Sequence, residues 1–342
     1  MSAKKNTSAV TTRRDFLIKG SMASVGLLLA GSDGWSRPLF IGNNPDSKFF
    51  GVQIGVITYS YRSMPGSVSQ LLQYITDSGI SAIELMGDAV EDYAGKPANP
   101  VKMPPFVPGQ PRPTFTDEQK AQMAAYGKQV AEWRSGVSME KFEEVKKMYN
   151  QAGVTIYAFK PNALGPNNTD AEVEYALKAA KALGANSVTV ELPMDAAQSK
   201  RLGDLGEKHK IYIGYHAHLQ ATDTAWDNAL SQSPYNSLNL DCGHYIAAGG
   251  NNTKESLLAL IESKHERITS LHIKDRKSKE NGGVNMPWGQ GNTPLKEILG
   301  LLKAKKYQIP ATIELEYDIP AGSDAVKETK NCLEFAKKAL GA

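Results

Sequence analysis

The chain has 342 residues, 41% apolar and 22% charged, with a formal net charge of +3. That length accommodates one large α/β barrel or two ordinary domains. Two cysteines, Cys242 and Cys332, exclude a disulfide framework and a cysteine-built zinc site, and we read them as free thiols.

The charge is unevenly placed. Residues 1–30 carry Lys4, Lys5, Arg13, Arg14 and Lys19 against Asp15, a sum of +4, so the remainder is near −1 (+3 minus +4). No basic surface is implied, and nucleic acid is not an expected partner. Thr12-Arg13-Arg14-Asp15-Phe16-Leu17-Ile18-Lys19 resembles a twin-arginine export signal. The Gly-, Ala-, Ser- and Leu-rich stretch at 20–30 is too short to span a bilayer as a mature helix and reads as the signal's apolar region. Residues 1–30 are thus expected to be a signal segment and 31–48 a flexible leader. The twin-arginine machinery becomes an expected partner, and the mature protein is expected to be periplasmic and free of the membrane.

From residue 49 onward, apolar runs alternate with amphipathic segments. Strands are predicted at 52–57, 80–85, 154–159, 187–191 and 211–215, then in runs ending at Asp241, His272 and Glu316. Helices are predicted at 68–78, 116–135, 141–152, 170–183, 203–210, 255–264, 295–305 and 323–340. Gly79, Gly153 and Gly184 stand where helices stop, because glycine enters the left-handed conformation cheaply. Eight strands, each followed by a helix or room for one, predict a single-domain (β/α)8 TIM barrel over 49–342. Seven prolines fall within 97–113, which bars a long helix or central strand there. We read this segment as an insertion after strand two that partly covers the pocket.

The strand ends carry the chemistry. Strand four ends in Glu191, strand six in Asp241, strand seven in His272 and strand eight in Glu314-Leu315-Glu316. Strand five ends in His216-Ala217-His218, and His244 follows Asp241 by three residues. A parallel barrel gathers these ends at one mouth. Two carboxylates, an Asp and a His converging there make a mixed O/N divalent-metal site. His272 and Lys274 are two apart and share a face, as do Glu314 and Glu316, and His216 and His218.

The chain resembles the xylose-isomerase-like barrel superfamily, which includes sugar isomerases and epimerases, inosose dehydratase and apurinic-site endonuclease. The resemblance covers roughly 50–340. It rests on Asp241-x-x-His244 with an Ala-Ala-Gly turn, on His272-x-Lys-Asp275, on Pro287-Trp288-Gly289-Gln290-Gly291, and on Glu316-Tyr317-Asp318. It implies metal ligands at Glu191, Asp241, His272 and Glu316, with Glu316 preferred over Glu314 because it lies nearer the strand's C-terminal end. Many epimerases of the group place a glutamate at the end of strand five; histidines stand there in this chain, a pattern closer to the dehydratase branch. No histidine precedes His209, which departs from the multi-zinc endonuclease pattern.

The reaction common to the group removes a proton α to a sugar carbonyl polarised by a divalent ion. Candidate bases are His216, His218, His244 and Lys160, while Glu84, Lys274 and Trp288 are candidate substrate contacts. Mn²⁺, Co²⁺, Zn²⁺ and Mg²⁺ all suit mixed carboxylate and imidazole ligation. Export, and the lack of a Gly-rich phosphate cradle, favour a non-phosphorylated sugar. Elimination on a 3-keto-glycoside is the leading expectation. An isomerase or epimerase, and a non-catalytic periplasmic sugar-binding barrel, are the alternatives.

Overall fold

The computed structural model describes residues 44–102 and 114–342. The signal segment expected at 1–30 and most of the 31–48 leader lie outside the described residues, as does the stretch 103–113 of the proline-rich insertion. The described end of the leader is fixed in place. Ser47 is buried, its hydroxyl donates to Ile54 O at 2.6 Å, and Lys48–Phe49 pairs antiparallel with the first barrel strand.

Eight parallel strands close into a barrel: β1 (Val52–Ile57), β2 (Ala82–Met86), β3 (Thr155–Lys160), β4 (Ser187–Glu191), β5 (Tyr212–His216), β6 (Asn236–Asp241), β7 (Ile268–Ile273) and β8 (Ala311–Ile313). Each pairs with the next, and β8 returns to β1 through Ile313 opposite Val56, so the barrel has no free edge. The strands are rich in Val, Ile and Leu because both faces are covered.

Outside run α1 (Val68–Asp77), α2 (Gly87–Tyr93), α3 (Asp117–Gly136), α4 (Glu140–Gln151), α5 (Asp170–Leu183), α6 (Ala196–His209), α7 (Asp227–Gln232), α8 (Cys242–Ala248), α9 (Lys254–Lys264), α10 (Leu295–Lys305) and α11 (Ala325–Leu340). Capping boxes start several of them. Ser67 with Gln70, Thr116 with Gln119, and Thr169 with Glu172 satisfy the first free N–H groups reciprocally. Among the described residues, no helix is long and apolar enough to cross a membrane.

The insertion after β2 is more than a loop. It ends in the 20-residue α3, which lies on α5 through a Trp133–Tyr175 edge contact. Arg134 is buried there between Glu91 on α2 (3.4 Å) and Glu172 on α5 (3.1 Å). Inside the barrel, the Tyr157 hydroxyl meets Thr312 Oγ1 at 2.7 Å across the lumen. Gly55 makes room for it, since a Cβ at that position would come within 2.6 Å of the phenol oxygen. Both thiols are free and buried.

Candidate active site at the barrel mouth

Each strand contributes inward residues two apart, so the sheet's period places chemistry on one face. β6 contributes Asn239 and then Asp241, both buried. β7 and its extension contribute Ser270, His272 and Lys274, also buried. Beyond β8 stand Glu314 and Glu316, and β2 contributes Glu84.

Asp241 does two jobs. Its Oδ1 accepts the N–H of His244 at 2.6 Å and so caps α8. Its Oδ2 is turned inward, buried, and without a hydrogen-bond partner among the described residues, facing the Lys274 ammonium at 3.0 Å. The cap makes the segment after β6 a helix where the sequence suggested a turn. His244 is thereby set back over the same mouth. Gly243 is required here, because a Cβ would run into the Lys274 side chain and carbonyl.

His216, Asp241 and His272 offer ligand atoms that all lie within 4.8 Å of one another. Glu314 Oε2 adds a further oxygen 3.0 Å from His272 Nδ1. On its other edge, His272 Nε2 meets Glu84 Oε2 at 2.8 Å. His216 Nδ1 meets Asn239 Oδ1 at 2.9 Å. The amide oxygen can only accept, so Nδ1 carries the proton and Nε2 keeps its lone pair. His216, His218 and His244 form a second close set, with the His218 and His244 rings 4.5 Å apart.

The electrostatics follow from burial and neighbours. Burial and the facing His272 push His216 down to about 3, so it is neutral at pH 7. His244 is pushed to about 2 by burial and by Lys274. Burial opposes charging His272, but Glu84 and Glu314 outweigh it and raise its pKa to about 10. Lys274 is likewise held charged against burial by Asp241, Glu314 and Glu316, at 3.0, 2.8 and 2.6 Å. The two cations, His272 and Lys274, thus stand among four carboxylates, Glu84, Asp241, Glu314 and Glu316.

The residues fit a divalent ion. Two imidazoles with oriented rings and two carboxylate oxygens form a mixed N/O donor set. Glu84 and Asn239 hold the far edges of the imidazoles, as outer partners of metal ligands do.

The sequence-predicted residues do not all fall together. Asp241, His272, His216, His244 and Lys274 come together in this cluster. Glu191 does not enter it; half exposed, it binds His218 Nε2 at 3.0 Å and Lys160 Nζ at 3.2 Å. Its own pKa is lowered to about 2, with burial opposed by the His218 hydrogen bond and Lys160. Glu316 touches Lys274 at the rim, whereas Glu314 is the residue against His272. Glu84 is a fully buried partner of His272, and Trp288 lies edge-on to Phe335 of α11, its indole N–H without a partner among the described residues.

Asn239 and Arg276 went unread in the sequence. Asn239 bonds His216, Glu84 and Ser270, and Arg276 contacts His244 Nδ1. The signal was present in Asn239-x-Asp241 and in His272-x-Lys274-x-Arg276, one inward face extended by a step in each direction.

A fold of this class with this mouth has relatives. The xylose isomerase-like TIM barrel family matches residues 121–338, and the chain belongs to that family. No curated protein matches the chain. Among solved structures, it is similar to a probable 3-DHS dehydratase, AsbF, involved in petrobactin synthesis in Bacillus anthracis (15% identity, 83% of this chain and 98% of that one, TM-score 0.54). It is also similar to D-psicose 3-epimerase with D-tagatose from Clostridium cellulolyticum H10 (13%, 84% and 99%, 0.55). A third is 3-keto-D-glucoside 4-epimerase, YcjR, from E. coli (12%, 84% and 99%, 0.55).

Proposed function

We propose that this chain is a divalent-metal-dependent enzyme that removes a proton α to a ketone of a non-phosphorylated carbohydrate, and that its reaction is elimination on a 3-keto-glycoside. The observation that carries the reading is the convergence of His216, Asp241, His272 and Glu314 at the barrel mouth, with neutral His216 and a buried Asp241 Oδ2 paired to the Lys274 ammonium among them. A divalent ion held there supplies Lewis acidity toward the ketone oxygen.

The chain's own groups do the rest. His218 is the base in this reading: Nε2 faces Glu191 Oε2 at 3.0 Å, which leaves Nδ1 to take the proton. Its pKa is raised by the Glu191 hydrogen bond, with burial opposing. Glu191 orients the ring and steadies it when charged. Lys274 and His244 supply fixed positive and dipolar partners along one wall. Among the structural neighbours, the 3-keto-D-glucoside 4-epimerase acts by its name on a keto-sugar glycoside, which supports this chemistry.

Export through the twin-arginine route, on Arg13-Arg14 and the following apolar stretch, is part of the proposal and favours an unphosphorylated substrate. The test is incubation of the Mn²⁺-, Co²⁺-, Zn²⁺- or Mg²⁺-loaded protein with 3-keto-glucosides. Release of the aglycone with formation of an enone supports the lyase. Deuterium uptake from solvent at the α-carbon with the aglycone retained assigns an isomerase or epimerase instead. Tight sugar binding that survives metal removal, without turnover, assigns a binding protein.

A further inference from the structure

The loops after β3 and β4 line an open-sided chamber of about 590 Å³, with Lys160 and Glu191 on its wall. Glu191 also holds His218, so chamber and mouth cluster share one polar seam. Past that seam apolar residues, among them Leu164, Leu192 and Met194, make up most of the wall, with Asn162, Asp195 and Gln198 set between them. Met194 is 94% exposed, a large flexible thioether in water that packs into no core. Methionine of this kind adapts to varied apolar ligands. A concave, mainly apolar space of several hundred Å³ with a few convergent polar groups suits a drug-sized group.

A free sugar leaves the apolar part of this wall unused, because its hydroxyls gain little from apolar contact. We propose that the chamber holds an apolar, phenol-like aglycone, with the glycosidic oxygen lying at the Lys160–Glu191–His218 seam. The inference rests on the lyase reading above and adds the substrate class: aryl glycosides oxidised at C3, rather than free sugars or alkyl glycosides.

The step balances without a redox partner. The C2 proton passes to His218, and the C2–H electron pair enters the enolate. That pair then forms the C1=C2 bond as the C1–O bond breaks. The leaving oxygen takes a proton from the Lys160 ammonium and departs as the phenol, and the sugar leaves as the unsaturated ketone. Glu191 bridges His218 and Lys160 at 3.0 and 3.2 Å, so the abstracted proton has a route back to Lys160.

Two readouts test this on the full metal-loaded protein. The first is binding of free 4-methylumbelliferone, followed by fluorescence anisotropy, to wild type, Met194→Asp and Leu192→Asn. Loss of an apolar wall is worth about tenfold in affinity or more, so both variants should weaken binding by about that factor. Met194→Asp is the control for folding, since its side chain lies in solvent. The second is the ratio of kcat/KM for 4-methylumbelliferyl over methyl 3-keto-glucoside, which should fall by about the same factor. No binding to wild type, or variants with unaltered binding and ratio, overturns the chamber even if both glycosides are cleaved. Binding that the variants weaken, with neither glycoside cleaved, upholds the chamber and discards the lyase.

Discussion

The Asn239 side-chain oxygen lies 2.9 Å from His216 Nδ1, fixing which ring nitrogen of His216 keeps a lone pair. An Asn239→Leu substitution keeps the branching at Cγ but removes that acceptor, along with the amide's bonds to Glu84 and Ser270. Loss of such an outer partner costs about 10–100-fold in metal affinity. Metal titration of the variant should show a drop in that range with the fold intact; an unchanged affinity would show that His216 needs no such orientation.

Metal binding should also be visible as stability. An ion that binds only the folded chain at about 100 times its Kd adds about 2.7 kcal/mol. Melting curves with chelator and with added Mn²⁺ or Zn²⁺ should separate accordingly. Asp241→Asn, which weakens the donor set, should close the gap between the two curves.

Gly243 is the point where α8 passes the Lys274 chain. Gly243→Ala forces Lys274 or the helix to move, an overpacking cost of about 1–3 kcal/mol. The melting temperature should fall and activity should fall with it, because Lys274 Nζ would leave Asp241 and Glu314. A fully active, equally stable variant would show that the close approach is relieved elsewhere.

Far from the mouth, Arg134 is buried with Glu91 and Glu172. Removing one partner of a buried pair leaves uncompensated charge and costs about 3–5 kcal/mol. Arg134→Ala should lose stability on that scale in denaturant unfolding, while a loss under about 1 kcal/mol, the range of exposed pairs, would mean that water screens the network.

The same network has a pH signature. Burial raises the pKa of Glu172, but the Thr169 N–H and Arg134 outweigh it and hold the carboxyl below its usual range. A depressed folded pKa contributes stability that is present above the unfolded value, about 4.3, and lost as pH falls through the folded value. Wild type should therefore lose stability below about pH 4.3, and Glu172→Gln should lose less over that interval. Parallel curves for the two proteins would remove Glu172 from the acid response.

Much of this was legible from period and punctuation. β4, α5 and α10 have the bounds their patterns predict, because each is framed by a cap, a glycine stop or a clean apolar run. α6 starts at Ala196, seven residues before the predicted start, since Asp195 caps a first turn that carries no large apolar side chain. β8 is a strand only to Ile313, so Glu314 and Glu316 belong to the chain leaving it, and nearness to a strand end could not rank them. The strand-end carboxylate of β4 was equally ambiguous: Glu191 meets Lys160 and His218, contacts made by residues 31 and 27 positions away. Residue type and spacing marked the mouth, while pairing between strands decided which carboxylate faces which imidazole.

The most direct test is the metal content of wild type, Glu314→Gln and Glu316→Gln after reloading with a divalent ion and removal of excess, measured by mass spectrometry alongside melting curves. Wild type and Glu316→Gln should retain stoichiometric metal, and Glu314→Gln should lose most of it while staying folded. Retention by Glu314→Gln with loss from Glu316→Gln, or a wild type that binds no divalent ion, would contradict the site described above.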